Sequence, residues 1–430
     1  MVAIAFLLLV ALVVAGVHVA AVLGILALLL EQMFSFFPLL AAIGEVTWSA
    51  STEFILVAVP MFILMGQILL RTGVAGAMFV ALDKWVNWLP GGLMHTNVAS
   101  SALFAATSGS SVATAATIGT IAIPNIEKGG YNPPLFLGSL AAGGTLGILI
   151  PPSINMIIYG VLSDTSVTDL YLAAMVPGIL LAAMFSLSIL LICLVMPTLS
   201  GNRTGSVSWY EKLVQLKHLV PPLGLFIVVV GSIYLGIATP TEAASLGVVA
   251  ALGLGAWRKA LSIQVLMIAF QETMKTTAMV MLIVVAAFFL NFVLASIGVN
   301  KVITDLMVDL PWSPTVSMLM IVAIYLVLGM FMETLSLMIA TTPIIVPAIV
   351  ALGFDKVWFG VVFMILIEAA LITPPIGVNL FVVQSVRGGG PFRDVIVGAL
   401  PFLLMMIGLI FVLLAFPDLA LWLPRFAGAN

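Results

Sequence analysis

The residues of this sequence that could do chemistry are hydroxyls, prolines and carboxylates set within long apolar runs. In Gly147-Ile148-Leu149-Ile150-Pro151-Pro152-Ser153-Ile154-Asn155 and in Thr373-Pro374-Pro375-Ile376-Gly377-Val378-Asn379, two consecutive prolines interrupt a hydrophobic segment. Proline lacks an amide hydrogen and clashes with the preceding turn, so the pair unwinds a helix and leaves carbonyls without helical donors. Thr107-Ser108-Gly109-Ser110-Ser111 lies at the middle of a block, 85–126, that carries no charge for 42 residues. Consecutive Ser and Gly favour a turn over a helix interior. Freed carbonyls, hydroxyls and the carbonyls of a turn together form an oxygen cage for a hard cation. A helix half that starts after a break points its positive end at an anion. Met332-Glu333-Thr334-Leu335-Ser336 adds an acid at apolar depth, and Glu368 precedes Pro374 by two turns. An ionised carboxylate in lipid costs several kcal/mol unless partnered or hydrated. Glu333 is therefore either a functional group or an interfacial helix cap, and Glu368 is either functional or paired within the bundle.

Membrane helices must hold these groups. Of 430 residues, 63% are hydrophobic and only 7% charged, against roughly 25% charged in a soluble domain. This excludes a soluble enzyme, a nucleic-acid binder and a disordered chain. A net charge of −3 names no polyanionic partner, and the single cysteine, Cys193, excludes an intrachain disulfide and a Cys-based metal cluster. In its apolar run Cys193 reads as a small buried hydrophobe. Met1 to Leu30 lacks a basic flank and a small-residue cleavage site, which predicts a retained membrane helix rather than a removed signal peptide.

A helical span needs about 20 apolar residues. The charge spacing predicts two short spans within 2–39, broken near Gly16, then one at 50–70. A turn at membrane depth is tolerable only where protein surrounds it or it lines a wet cavity, so the charge-free block predicts a re-entrant hairpin at about 97–124. A Pro-broken helix at about 135–163 and a span at 170–196 follow, then a polar connector at 198–218. The order then recurs: two spans in 219–257, one at 276–296, a hairpin at about 315–347, a broken helix at about 357–385 and a span at 395–416.

The halves, 1–197 and 219–430, also match in sequence. At a constant offset of 223, Pro124 pairs with Pro347, Phe136 with Phe359 and Pro151-Pro152 with Pro374-Pro375, and Ser110 falls on Glu333. Each half crosses an odd number of times, so the two have opposite topology. Inverted repeats with interrupted segments at corresponding positions are the pattern of secondary transporters. With this topology one side receives eleven basic residues: Arg71, Lys84, Lys128, Arg203, Lys212, Lys217, Arg258, Lys259, Lys275, Arg387 and Arg393. The other side receives Lys301, Lys356 and Arg425. The positive-inside tendency makes the connector cytoplasmic and both termini external. No Lys or Arg falls at mid-membrane, so helix N-termini, hydroxyls, Asn side chains and bound cations would have to hold an anionic substrate. Na⁺ suits such ligands, while Glu333 and Glu368 keep a proton open as the coupling ion.

With these residues in view, the sequence resembles the large membrane subunit of tripartite ATP-independent periplasmic (TRAP) transporters, the DctM-like permeases. The resemblance runs over essentially the whole chain. Its anchors are Ser108-Gly109-Ser110, Ile150-Pro151-Pro152-Ser153 through Tyr159-Gly160, and Leu371-Ile372-Thr373-Pro374-Pro375-Ile376-Gly377-Val378-Asn379-Leu380-Phe381. Gly329-Met330-Phe331-Met332-Glu333 looks like the family's second hairpin tip, with Glu where Asp is common.

The resemblance implies an all-α polytopic fold of two inverted repeats, working as an elevator with a scaffold and a transport domain built from the hairpins and broken helices. It implies Na⁺-coupled uptake of an organic acid anion across the bacterial inner membrane. A small DctQ-like membrane subunit and a DctP-like periplasmic binding protein are the implied partners. Carried over by residue, a first Na⁺ site would use Ser108 and Ser110 with backbone oxygens at Gly147, Ile150 and Pro151. A second would use Gly329 and Thr373 with backbone oxygens near Ile376. Glu333 and Thr334 would serve ion or substrate, and Asn97, Asn155 and Asn379 the substrate.

Two rivals stand beside this reading. One is a stand-alone Na⁺- or H⁺-coupled organic anion transporter of the same broad architecture. The other is an intramembrane hydrolase with Ser108 or Ser110 as nucleophile, which needs a base within reach. The available histidines are His18, His95 and His218, and none is close in sequence.

Overall fold

The computed structural model describes residues 1–202, 208–309 and 311–428. Arg203, assigned above to the cytoplasmic side, lies outside the described residues, as does part of the connector. The described residues form helices and turns, with no strand among them. Among the described residues, five helices are long and apolar enough to cross a membrane: Phe54–Arg71, Val167–Val195, Ile263–Ser296, Thr334–Ala351 and Phe392–Ala415. Two further pairs qualify as bent spans, Pro133–Leu149 with Ile154–Ser163 at 45° and Trp209–His218 with Val220–Tyr234 at 49°. The chain is thus a multi-pass membrane protein.

Polar residues mark where helices start. Ser166, Ser262 and Ser313 each accept a hydrogen bond from the amide three residues on, which satisfies one of the donors a helix leaves free at its N-terminus. One helix departs from the expected span at 276–296: Ile263–Ser296 runs unbroken for 34 residues. Lys275 does not end it because Glu272, one turn earlier, lies 2.9 Å from the ammonium on an exposed face. No Pro or Gly occurs along the run. A charge limits the depth of a helix in lipid without ending the helix.

Two helix–turn–helix units and two broken helices occupy equivalent places in the two halves. Leu93–Ser108 with Ser111–Ala122 precedes the pair Pro133–Leu149 and Ile154–Ser163; Pro314–Gly329 with Thr334–Ala351 precedes Lys356–Leu371 and Val378–Arg387. The peptides Pro151-Pro152 and Pro374-Pro375 are both cis. Pro133–Leu149 lies at the centre, packed against both arms of the first unit and against Phe392–Ala415. Glycines allow this. A Cβ added to Gly138 would fall 1.9 Å from the Gly398 carbonyl oxygen, and one on Gly398 would fall 1.7 Å from that of Pro134. Backbones in contact without intervening side chains gain dispersion energy that lipid cannot supply.

Contacts tie several of the basic segments to one another. Lys84 pairs with Glu211 at 3.0 Å, and the Trp85 indole donates to the Lys212 carbonyl at 3.2 Å. The Arg258 guanidinium donates to the Thr72 carbonyl at 3.1 Å. The Asn202 amide donates to the Gly129 carbonyl, beside Lys128, at 2.7 Å. Lys356 makes different contacts, donating to the Ser163 carbonyl at 3.2 Å.

Candidate functional site

The first unit turns at Gly109, whose φ of 60° puts it in the left-handed region, where glycine carries no steric penalty. Ser110 then starts the second arm and accepts from the Ala113 amide at 3.4 Å. Ser108 and Thr114 share a hydroxyl–hydroxyl bond of 2.9 Å, and the Thr114 hydroxyl also donates to the Ser110 carbonyl at 2.8 Å. This tip meets the first break directly. A Cβ on Gly109 would lie 3.0 Å from the Pro152 oxygen, and one on Gly147 would lie 2.7 Å from the Ser110 carbonyl carbon and 2.8 Å from its oxygen.

The break frees acceptors. The Gly147 carbonyl would bond the amide four residues on, which is Pro151, and that of Ile148 would bond Pro152; neither proline has a hydrogen to give. Gly147, Ile150 and Pro151 are all buried, so these oxygens sit beside the Ser108–Ser110 tip and away from bulk solvent. Beyond the break Ser153 caps the helix Ile154–Ser163, accepting from the Met156 amide at 3.4 Å.

In the second unit Glu333 is the N-cap of Thr334–Ala351. One carboxylate oxygen accepts from the Ser336 amide at 3.0 Å and hydroxyl at 2.9 Å, the other from the Thr334 hydroxyl at 3.1 Å. The helix-cap reading of Glu333 is thus the one the hydrogen bonds show, and the cap is exposed and borders the cavity described below. A Cβ on Gly329 would lie 2.3 Å from the Ala370 methyl, so the second tip abuts the second broken helix. Thr373 is buried, and its hydroxyl is taken up by the Ala369 carbonyl at 2.7 Å. Ile376 is exposed.

A cavity of about 190 Å³ joins these parts. Ser108, Ser110, Asn155, Glu333 and Thr334 all line it. Three helix N-termini open onto it, at Ser111, Ile154 and Thr334. Each brings first-turn amides and a partial positive charge to the wall, which at Thr334 the capping Glu333 carboxylate offsets. No Lys or Arg lines the cavity.

Gly147, Ile150, Pro151, Gly329, Thr373 and Ile376 are not part of this lining. Asn97 and Asn379 also lie elsewhere, both fully buried against Pro133–Leu149. The Asn97 amide donates to the Ser139 hydroxyl at 2.9 Å and that of Asn379 to the Ala141 carbonyl at 3.3 Å.

Several residues at the site went unnoticed in the sequence. Phe54–Arg71 brings Gly66 and Gln67, and Ile263–Ser296 brings Thr276. A Cβ on Gly66 would be 3.1 Å from the Ser108 oxygen. The only sequence signal was a Gly-Gln pair within an apolar helix. Ser111 was read as part of the turn but not as a partner of Glu368, to which its hydroxyl donates at 2.6 Å.

The geometry speaks against a hydrolase. His95 lies 13 residues before Ser108 on the same helix, about 20 Å away at 1.5 Å per residue. Its ring nitrogens face the Ser186 hydroxyl at 2.5 Å and the Pro90 carbonyl at 2.9 Å. The Ser108 hydroxyl pairs with Thr114 instead of a histidine.

Comparison with known proteins agrees with the geometry. Residues 6–419 match the family model described as "Tripartite ATP-independent periplasmic transporter, DctM component". The C4-dicarboxylate TRAP transporter large permease protein DctM of Pseudomonas aeruginosa is 33% identical over 385 residues, covering 89% of each chain. The sialic acid permease SiaM of Vibrio cholerae is 32% identical, covering 87% of each, and the ectoine permease TeaC of Halomonas elongata is 31% identical, covering 86% of each. Among solved structures, the YdaH transporter of Alcanivorax borkumensis superposes with a TM-score of 0.66 at 14% identity, over 94% of this chain and 98% of that one. At that identity the likeness concerns the fold alone, that of a membrane transporter. Family match, relatives and site agree that this chain belongs to the DctM-component family of large permease subunits of tripartite ATP-independent periplasmic transporters.

Proposed function

We propose that this chain is the permease of a Na⁺-coupled system that takes up an organic acid anion, delivered by a periplasmic binding protein, across a bacterial inner membrane. The observation that carries the reading is the convergence of three helix N-termini and two hydroxyl-bearing tips on a cavity without a basic side chain. Such a cavity favours an anion by its amides and needs a cation to complete the charge. A Na⁺ ion takes oxygen ligands, and the chain offers them at two places. Ser108 and Ser110 face the proline-freed carbonyls of Gly147 and Ile148, with Ile150 and Pro151 following. Gly329, Thr373 and the carbonyls before Ile376 make the corresponding set in the second half. Asn155 and Thr334 lie beside the N-termini and suit the substrate's carboxylate and hydroxyls.

The halves then act as inverted repeats, with the two tips and two broken helices moving as one body. Phe54–Arg71 and Ile263–Ser296, which supply the remaining wall of the cavity, belong to the fixed scaffold. The basic end faces the cytoplasm, both termini face the periplasm, and a small membrane subunit completes the complex. Relatives named for C4-dicarboxylates, sialic acid and ectoine show that the family's substrates vary.

Reconstitution in liposomes tests the reading. Uptake is expected only with the small subunit, the cognate binding protein and an inward Na⁺ gradient together. Uptake of free substrate by this chain alone would overturn the tripartite assignment.

A further inference from the structure

We propose that Glu368 is a positioning residue that ties the first tip to the second broken helix and so couples the two ion sites; this rests on the reading above. Glu368 lies on Lys356–Leu371, fully buried. One carboxyl oxygen accepts from the Ser111 hydroxyl at 2.6 Å, across 257 residues of sequence. The other has no partner, and no Lys, Arg or His stands within 4.0 Å of the carboxyl among the described residues. Burying a carboxyl with a single hydrogen bond is unfavourable compared with an apolar side chain of similar size. Packing alone therefore does not account for an acid here; the directed bond to Ser111 does.

The two ends of that bond lie next to the two sites. Ser111 follows Ser110 and is the first residue of the helix after the tip. Glu368 is two residues before Ala370, whose methyl abuts Gly329, and five before Thr373. A second contact runs the same way: a Cβ on Gly144 would lie 3.0 Å from the Asn379 amide nitrogen and 3.2 Å from the Ser111 oxygen. Ser111 and Asn379, the latter just past the second break, thus both pack on Pro133–Leu149 at Gly144. A cation that draws in the Ser110 hydroxyl and carbonyl moves Ser111. Through Glu368 it also moves the helix that carries Ala370 and Thr373, so occupancy of one site favours the other.

The tie uses Glu368 as a hydrogen-bond acceptor, through an oxygen that a carboxamide also supplies. In the reconstituted tripartite system, E368Q is therefore expected to keep the half-saturating Na⁺ concentration and the Hill coefficient for Na⁺ close to those of the unsubstituted protein. S111A and E368L are expected to raise the half-saturating concentration about fivefold, the size of one lost buried hydrogen bond, and to bring the Hill coefficient towards one. A residue serving only the stability of the fold would lower the amount of active protein without changing cooperativity. Two results would overturn the tie: unaltered cooperativity in S111A, or E368Q as damaging as E368L, which would mean that the charge itself is needed. Should E368L not fold, S111A, which removes a single oxygen, decides the matter. Na⁺-independent uptake by the unsubstituted protein would instead sink the functional reading on which the tie rests.

Discussion

At the residue scale the site is a set of oxygens, and most belong to the backbone. Ser108 and Ser110 are the exceptions, since their hydroxyls can be removed without disturbing a carbonyl. The Ser108 hydroxyl bonds Thr114 on the second arm and the Ser110 hydroxyl the Ala113 amide, so both bonds stay within the tip. The double substitution S108A with S110A is expected to raise the Na⁺ concentration for half-maximal uptake about tenfold, equivalent to about 1.4 kcal/mol of lost binding, with the protein still folded. Uptake measured against Na⁺ at fixed pH checks this. Indifference to Na⁺ together with dependence on a pH gradient would make the coupling ion a proton.

Between elements, the decisive contacts are places where backbones touch. Gly147 lets the first tip reach the first break, with the Ser110 carbonyl 2.7–2.8 Å from where a Cβ would stand. Neither partner can yield, because the obstacle is main chain on both sides. G147A is therefore expected to push the tip away from the freed carbonyls and to abolish Na⁺-driven uptake while the chain still reaches the membrane. Overpacking of this kind costs about 1–3 kcal/mol, less than the stability of a large helical bundle. Normal uptake by G147A at low Na⁺ would show that the first site does not need this contact. The breaks themselves were legible because proline acts locally: whatever packs around Pro151-Pro152 or Pro374-Pro375, the lost amide hydrogens are lost. The tip was legible for the same reason, since Ser and Gly in succession disfavour helix wherever they occur.

For the whole molecule, the proposed Na⁺ sites would link ion binding to folding. A cation that binds the native arrangement and not the unfolded chain stabilises it by an amount that grows with the logarithm of its concentration, about 2.7 kcal/mol at a hundredfold excess over the dissociation constant. Purified permease in detergent is expected to unfold at higher temperature in Na⁺ than in the same concentration of choline. The shift should shrink in the Ser108 and Ser110 double variant. An equal rise in both salts would mean that ionic strength, not a site, is responsible.

Composition alone was enough to make the chain a multi-pass helical membrane protein, because lipid demands that each segment satisfy its own backbone. Local chemistry was enough to find the two breaks and the first tip. It also narrowed Glu333 to a cap or a functional group, and the tertiary structure shows the cap, on the wall of the cavity. Only the tertiary structure decided which polar groups share a cavity. Asn155 faces it and Asn97 does not; Asn97 turns instead to the Ser139 hydroxyl on the neighbouring helix. Gly66, Thr276 and the Ser111–Glu368 bond left no usable mark in the sequence. Each depends on which segment, hundreds of residues away, comes to lie alongside, and in a helix apolar on every face neither hydropathy nor periodicity records that choice.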